Sequence, residues 1–296
     1  MNDRLKPYIY KTKGAKNYGF YDMLNGKFYQ VEPTGNLEEL RKSLFELGLI
    51  FKTPGVVPNK MYSRSFHHLK NKINVKNLQI RINGTGENNC WERKKLDQSK
   101  TEINEHILER LRTELEYIPV RKIKIEAESD NEVLIKKILK EFKYSQIEIF
   151  SKDIDKEQIE YYQSICTQKY CKLISLSDKN EIEKLRLDIN NFFYTFNFNP
   201  CLGHQIAIDT EGEIKPCLWS ETVIGNIKEC NLKDLITSGK FDKFWNLKKD
   251  KINSCKDCEY RYVCNDCRVS ALKDKNDLKA KPSFCKYNPF TGVTET

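Results

Sequence analysis

Along the first sixty residues the apolar positions come in short aromatic and β-branched runs: Tyr8-Ile9-Tyr10, Phe20-Tyr21 and Lys27-Phe28-Tyr29-Gln30-Val31. Lys13-Gly14 and Asn25-Gly26 separate them. Short runs punctuated this way read as strands joined by tight turns, and Asn-Gly suits a hairpin because both residues tolerate positive φ. Pro33-Thr34-Gly35-Asn36 ends the rhythm, and Leu37, Leu40, Leu44 and Leu47 then fall at helical spacing before Gly48-Leu49-Ile50-Phe51. Residues 1–60 are therefore read as a small hairpin-plus-helix unit, followed by a linker at Pro54–Pro58.

From residue 77 to about 178 strand and helix patterns take turns. Leu78-Gln79-Ile80-Arg81-Ile82 alternates with period two, and a Gly/Asn-rich loop (Asn83–Cys90) leads to a helix around Glu102–Leu115. Strands at Arg121–Ile125, Gln146–Phe150 and Cys171–Leu176 alternate with helices at Glu132–Phe142 and Lys156–Ile165. This order predicts βαβ units on a parallel sheet, and so few units cannot close an eight-stranded barrel. After Asn199-Pro200 the pattern predicts a β-hairpin over Gln205–Lys215, turning at Asp209–Gly212, and an amphipathic helix over Asn231–Trp245. The fold class is α/β, with a truncated, partial-barrel-like parallel middle and a Cys-rich C-terminal domain.

Composition narrows the function. The chain has 296 residues, enough for about two domains. Hydrophobic residues are 39% and charged residues 31%, and no apolar stretch approaches the roughly 18 residues of a membrane span. No membrane association is expected. The N-terminus has no apolar signal segment, so a cytoplasmic location is expected. The net charge is +9, but acidic and basic residues are interleaved, which argues for a solvated mixed-charge surface and against nucleic acid as a partner. With 15 Tyr, 15 Phe and 3 Trp the chain has core material that disordered sequences lack.

Cysteine changes the picture. Of 11 cysteines, only Cys90, Cys166 and Cys171 precede residue 200; Cys201, Cys217, Cys230, Cys255, Cys258, Cys264, Cys267 and Cys285 follow it closely. In a reducing compartment such crowding points to metal binding rather than disulfides. Seven of them form an ordered pattern: Cys201-x10-Gly212-x4-Cys217, then Cys255-x2-Cys258-x5-Cys264-x2-Cys267, then Cys285. A zinc ribbon separates its two CxxC pairs by about 15–20 residues, which disfavours zinc here. An all-thiolate set suits cubane clusters, and in two-cluster proteins the last Cys of a run ligates the other cluster.

The pattern resembles the SPASM domain, the auxiliary-cluster module that follows the catalytic barrel of radical SAM peptide-modifying enzymes. The resemblance covers roughly residues 198–290 and includes Ile208-Asp209-Thr210-Glu211-Gly212-Glu213-Ile214-Lys215-Pro216-Cys217, the Ile224-Gly225-Asn226-Ile227 turn and the following helix. It implies two 4Fe–4S clusters, one held by Cys255, Cys258, Cys264 and Cys285, the other by Cys201, Cys217 and Cys267 with its fourth position open or taken by His204. The family's Cys-x3-Cys is here Cys264-x2-Cys267. The catalytic barrel's CxxxCxxC is missing: Asn83–Lys95 contains only Cys90, and Glu126–Asn131 stands where a Gly-Gly-Glu-Pro element is expected. The chain is accordingly divided into a docking-like unit at 1–60, a degenerate radical SAM-like segment at 61–185 that does not bind SAM, and a SPASM domain at 186–296.

The run from Cys255 to Arg268, with Pro282-Ser283-Phe284-Cys285-Lys286-Tyr287-Asn288-Pro289, is similar to the peptide maturases of grasp-with-spasm systems. That resemblance implies two partners, an ATP-grasp ligase and a ribosomally made precursor peptide whose leader adds as a strand to Tyr8–Tyr10 or Lys27–Val31. The rival is a non-catalytic adaptor with structural metal, either 4Fe–4S or zinc. Cys90, Cys166, Cys171 and Cys230 are read as buried small apolar residues, and His67, His68 and His106 as ordinary surface or face-edge histidines. Gly84-Thr85-Gly86 lacks the GK[ST] of a phosphate loop. Glu126, Glu128 and Asp130 read equally as a solvated loop or an acidic cluster facing a ligand. Arg261 and Arg268 either tune a cluster or pair with Glu259 and Asp266. Since the SAM-binding motifs are missing, incubation with SAM under reducing conditions should give no 5′-deoxyadenosine above a no-protein control; product above that control contradicts the reading.

Overall fold

In chain order the elements are β1 (Asn2–Leu5), β2 (Ile9–Lys13), β3 (Tyr18–Asp22), β4 (Lys27–Val31), α1 (Leu37–Glu46), β5 (Ile50–Thr53), β6 (Val75–Arg81), α2 (Glu105–Leu115), β7 (Val120–Glu126), β8 (Gln146–Ser151) and β9 (Cys171–Ser175). They continue with α3 (Ile189–Asn197), β10 (Gln205–Ile208), β11 (Glu213–Lys215), β12 (Gly225–Asn226), α4 (Leu232–Thr237), α5 (Asp242–Trp245), α6 (Arg268–Lys275), β13 (Tyr287–Asn288) and β14 (Val293–Thr294). This computed structural model describes residues 2–6, 8–33, 35–53, 75–81, 105–115, 118, 120–126, 136–138, 140, 146–151, 157, 171–175, 187, 189–264 and 266–294. The Pro54–Pro58 linker, the Asn83–Cys90 loop, the Lys156–Ile165 helix apart from residue 157, His67, His68, Glu128, Asp130 and Cys166 lie outside them. Two units emerge: Met1–Asn71 with Glu183–Cys201 and Asn246–Thr296, and Lys72–Ile182 with Leu202–Trp245.

In the first unit β2, β3 and β4 form an antiparallel sheet with β3 in the centre, at the positions the aromatic runs predict. Asp22 shapes the β3–β4 turn: its carboxylate accepts the Leu24 and Asn25 amides at 3.1 and 3.0 Å, and Gly26 takes a φ of 64°. Strand alternation sends Tyr10, Tyr21 and Phe28 toward Phe192 of α3 and Tyr262, with Tyr21–Phe192 ring centroids 5.0 Å apart. Ile9 and Phe20 pack instead with Leu49 and Leu44. Both faces of this small sheet are thus covered from within the unit. The predicted helix forms as α1, its N-terminus capped by the Asn36 side chain, yet none of its residues is buried.

The second unit is one seven-stranded sheet in the order β12-β11-β10-β6-β7-β8-β9. Strands β6 to β9 are parallel neighbours, as expected. The middle is not wholly parallel, however: β10 joins it beside β6, parallel, and β11 and β12 extend it antiparallel. The reason is burial. Ile206, Ala207 and Ile208 are all fully buried, so β10 needs cover on both faces, and it pairs in register with the equally buried Leu78 and Ile80. The sheet is mixed, and no closed barrel is formed among the described residues.

The predicted Asn231–Trp245 helix breaks in two at Ser238-Gly239, where Gly239 adopts a φ of 77°. Glu114 of α2 is buried and caps α4 from outside, accepting the Leu232 amide at 3.0 Å while pairing with Arg110 at 2.9 Å. No helix among the described residues is long and apolar enough to cross a membrane.

Gly212, which turns the β10–β11 hairpin, holds a φ of 81° that side chains rarely adopt, and a Cβ would lie tightly, 3.1 Å from both Asn226 Oδ1 and Ile227 Cγ2. Gly212→Ala should therefore lower unfolding stability by about 1–2 kcal/mol in denaturant titration, against ~0.5 kcal/mol or less for Gly35→Ala, whose Cβ meets open space.

Candidate functional site

The backbone from Lys248 to Cys264 is a chain of tight turns. Lys249–Lys251 and Cys255–Asp257 are single 3₁₀ turns, and Ser254 between them takes a φ of 62°. The Cys258 amide donates to the Cys255 carbonyl at 3.1 Å, closing the CxxC segment on itself. Beside it lies a cavity of about 20 Å³ whose lining includes Cys255, Cys258, Cys264 and Cys285, with Lys249, Arg261, Lys281 and Tyr287 also on the wall. Cys267 is buried as the residue preceding α6, and Cys201 is half-buried after α3. Cys217 is buried in the second unit.

Burial acts on three of the cavity thiols. Burial pushes Cys255 up to about 11, and burial pushes Cys258 up to about 12. Cys264 is raised for the same reason. Cys285 Sγ turns to the Tyr287 carbonyl at 4.0 Å, and Cys230 Sγ to the Asn226 carbonyl at 3.0 Å. Among the described residues, no group of three or more His, Cys, Asp or Glu side chains is placed so that it could hold a metal ion. The expectation of two 4Fe–4S clusters is corrected accordingly. His204, the suggested fourth ligand, packs its ring on Trp245 with centroids 5.1 Å apart.

Two buried polar groups frame the cavity. In the first, the Asp266 carboxylate lies between Lys249, at 3.5 Å, and Arg268, and also accepts from Asn199 Nδ2 at 2.9 Å. Burial alone would raise Asp266, but the charges of Lys249 and Arg268 outweigh it and hold the carboxyl below its ordinary value. Burial would likewise lower Lys249, yet Asp266 and the neighbouring cysteines leave it above the usual ammonium range. Arg268 also donates to the Leu278 and Ala280 carbonyls, each at 2.8 Å, which pins the chain beyond α6.

In the second group, Glu259 is fully buried. Its Oε1 accepts from Asn17 Nδ2 at 3.1 Å, from Gln30 Nε2 at 2.7 Å and from the Tyr287 hydroxyl, and its carbonyl accepts from the Tyr21 hydroxyl. Arg268 pairs with Asp266 as one sequence reading has it, but Arg261 pairs with Asp250 at 3.2 Å and not with Glu259. Asn17, Gln30 and Asn199 carry no motif; Asn17 and Asn199 are buried beside charge, and the exposed Gln30 reaches Glu259 from β4.

The SPASM family, an iron–sulfur cluster-binding domain, matches over residues 201–259. No curated protein matches it. Among solved structures, Streptococcus suis SuiB bound to its precursor peptide SuiA is 11% identical with a TM-score of 0.41, covering 96% of this chain and 99% of that one. anSMEcpe with bound AdoMet is 11% identical with a TM-score of 0.44, covering 71% and 94%. BtrN in an open conformation is 14% identical with a TM-score of 0.40, covering 62% and 91%. These structural likenesses are distant.

Two outcomes test the site. Asp266→Ala leaves two buried cations without their counter-charge and should cost about 3–5 kcal/mol in denaturant unfolding, whereas Lys42→Ala, which removes an exposed partner of Glu46, should stay within ~0.5 kcal/mol. At pH 8 a thiol raised to about 11 holds far less thiolate than a free one, so iodoacetamide should label Cys255 and Cys258 at least about a hundredfold more slowly than free cysteine, with the rate climbing as pH approaches 11. Labelling at the free-cysteine rate contradicts the burial.

Proposed function

We propose that this chain is a peptide-maturation protein that works with an ATP-grasp ligase on a ribosomally made precursor. The observation that carries this reading is the Cys255–Arg268 run, with its likeness to grasp-with-spasm maturases, in a chain whose residues 201–259 match the SPASM family. The N-terminal sheet supports a peptide partner. Of its two outer strands, β2 gives its Lys13 carbonyl to Arg261 at 3.1 Å, whereas β4 pairs only with β3 among the described residues. An open strand edge offers N–H and C=O groups in a row to an extended leader. In the same unit α1 and its C-cap leave Leu37, Phe45 and Leu47 exposed, and Phe45 lines an open cleft of about 560 Å³ with Arg41 and Ile50. In this reading residues 1–60 supply the docking unit, with the α/β segment at 61–185 and the SPASM region at 186–296 as its continuation.

A second reading, a non-catalytic adaptor between leader and ligase, is favoured by the single cysteine, Cys90, between Asn83 and Lys95. Co-expressing a precursor and ligase encoded beside this chain, with and without it, tests both by mass spectrometry. Modified precursor only when the chain is present is the expected result, and equal modification without the chain overturns it. Modification by the chain without ligase marks the catalytic form; a strict need for both marks the adaptor.

A further inference from the structure

The turn between β3 and β4 is closed by Asp22 opposite Lys27, the last pair of their antiparallel ladder. Between them Met23 is buried and its amide donates to the Tyr8 carbonyl at 3.0 Å, while Leu24, Asn25 and Gly26 are exposed. Asp22 holds this turn together and is itself buried. Its Oδ1 accepts the Leu24 and Asn25 amides at 3.1 and 3.0 Å, and its Oδ2 accepts Asn25 Nδ2 at 2.8 Å. The Asn25 side chain therefore lies at the surface with its nitrogen held on a buried carboxylate. Gly26 follows at a φ of 64°, and a Cβ there would meet the Leu187 carbonyl oxygen, 3.2 Å away. Without a Cβ, nothing on Gly26 itself blocks the approach of its nitrogen to the Asn25 side chain.

We propose that Asn25 and Gly26 are a self-modifying pair, and that Asp22 makes the modification open the β3–β4 turn. An attack within one chain needs no second reactant to be brought in, and closing a five-membered ring puts the two reacting atoms within reach of each other. The Gly26 nitrogen bonds to Asn25 Cγ as its proton passes to Nδ2, and the Cγ–Nδ2 bond breaks to release ammonia. The product is a cyclic imide, and nothing is oxidised or reduced. Solvent water then adds to one imide carbonyl. Opening at Cγ leaves an aspartyl residue, and opening at the main-chain carbonyl leaves an isoaspartyl residue whose main chain runs through Cβ and Cγ. Either way a carboxylate replaces the side-chain amide.

That exchange inverts the contact on which the turn depends. The donor 2.8 Å from Asp22 Oδ2 gives way to a like charge, and two carboxylates beside a buried site repel more strongly than they do in water. Asp22 is not free to turn away, because its other oxygen carries the Leu24 and Asn25 amides. The isoaspartyl form also adds an atom to the main chain of a loop whose ends are fixed by the Asp22–Lys27 pair, which disturbs the register of β4 on β3. Asn83-Gly84, the chain's other Asn-Gly pair, lies outside the described residues.

The test follows the full chain for weeks in buffered water at pH 8, beside a synthetic peptide of residues 20–31, by peptide mapping that separates aspartyl from isoaspartyl products. Expected is conversion at residue 25 of the native chain, and none at that position in Asn25→Gln, whose longer side chain would need a larger ring. A native chain that keeps Asn25 until the reference peptide is fully converted overturns the site. For the opening, amide exchange in Asn25→Asp should show protection of residues 18–22 and 27–31 falling at least tenfold, and at least threefold further than in Asn25→Ala, which removes the donor without adding charge. Equal losses in the two variants overturn the role of Asp22. Exchanging the partners, Asp22→Asn together with Asn25→Asp, returns a donor and an acceptor to the pair and should bring protection back to within threefold of the native chain; no recovery overturns that role too. Should Asn25→Asp fail to fold, the same measurement is made on the chain converted in solution, and unchanged protection there overturns the opening.

Discussion

A single buried carboxylate holds the first unit in register. Glu259 sits in the turn after the CxxC segment, and the donors that satisfy its Oε1 come from the β2–β3 turn, from β4 and from the C-terminal hairpin. A buried charge left without donors is expensive, so each of these segments is fixed where its side chain can reach the acceptor. Gly14 and Gly19 belong to the same constraint. A Cβ at Gly14 would lie 2.6 Å from Glu259 Oε2, so the sheet approaches the loop through its two bare backbone positions. The aromatic packing of Tyr21, Phe192 and Tyr262 supplies area, but the polar contacts decide which edge of the sheet faces the loop.

The cavity depends on the same logic one shell out. Asp266 balances Lys249 and Arg268 in a site without solvent, and Arg268 ties the segment after α6 to it, so the four thiols of Cys255, Cys258, Cys264 and Cys285 are held around a small space. The three cations on the wall are directed elsewhere: Lys249 to Asp266, Arg261 to Asp250, Lys281 to the Tyr287 carbonyl. Burial is the largest influence on Cys255, Cys258 and Cys264 and raises all three.

Local pattern was legible in the sequence wherever one residue type dictates one geometry. The aromatic runs of β2 to β4, the Asn25-Gly26 turn, the Leu periodicity of α1 and the period-two strands of the middle sheet all lie where alternation puts them. The grouping of Cys255, Cys258, Cys264 and Cys285, which line the cavity, came from the family resemblance and not from spacing. Pairing between distant segments was not legible. Nothing in Gln205–Ile208 says that this strand completes the middle sheet, because its apolar run fits any buried position. Asn17, Gln30 and Asn199 are unremarkable in sequence; their roles arise from acceptors more than sixty residues away. The cluster expectation failed on placement, since no three His, Cys, Asp or Glu side chains among the described residues are arranged to hold a metal ion.

The claim on which this account turns is that the N-terminal sheet and the cysteine loop are one cooperative unit closed by Glu259. Amide hydrogen exchange of Glu259→Gln in the full chain tests it directly, because the isosteric change removes the charge and leaves the shape. The account predicts that protection falls together in residues 18–31, 255–264 and 287–292, to similar extents. A loss confined to the cysteine loop, with the sheet exchanging as in the native chain, would contradict it.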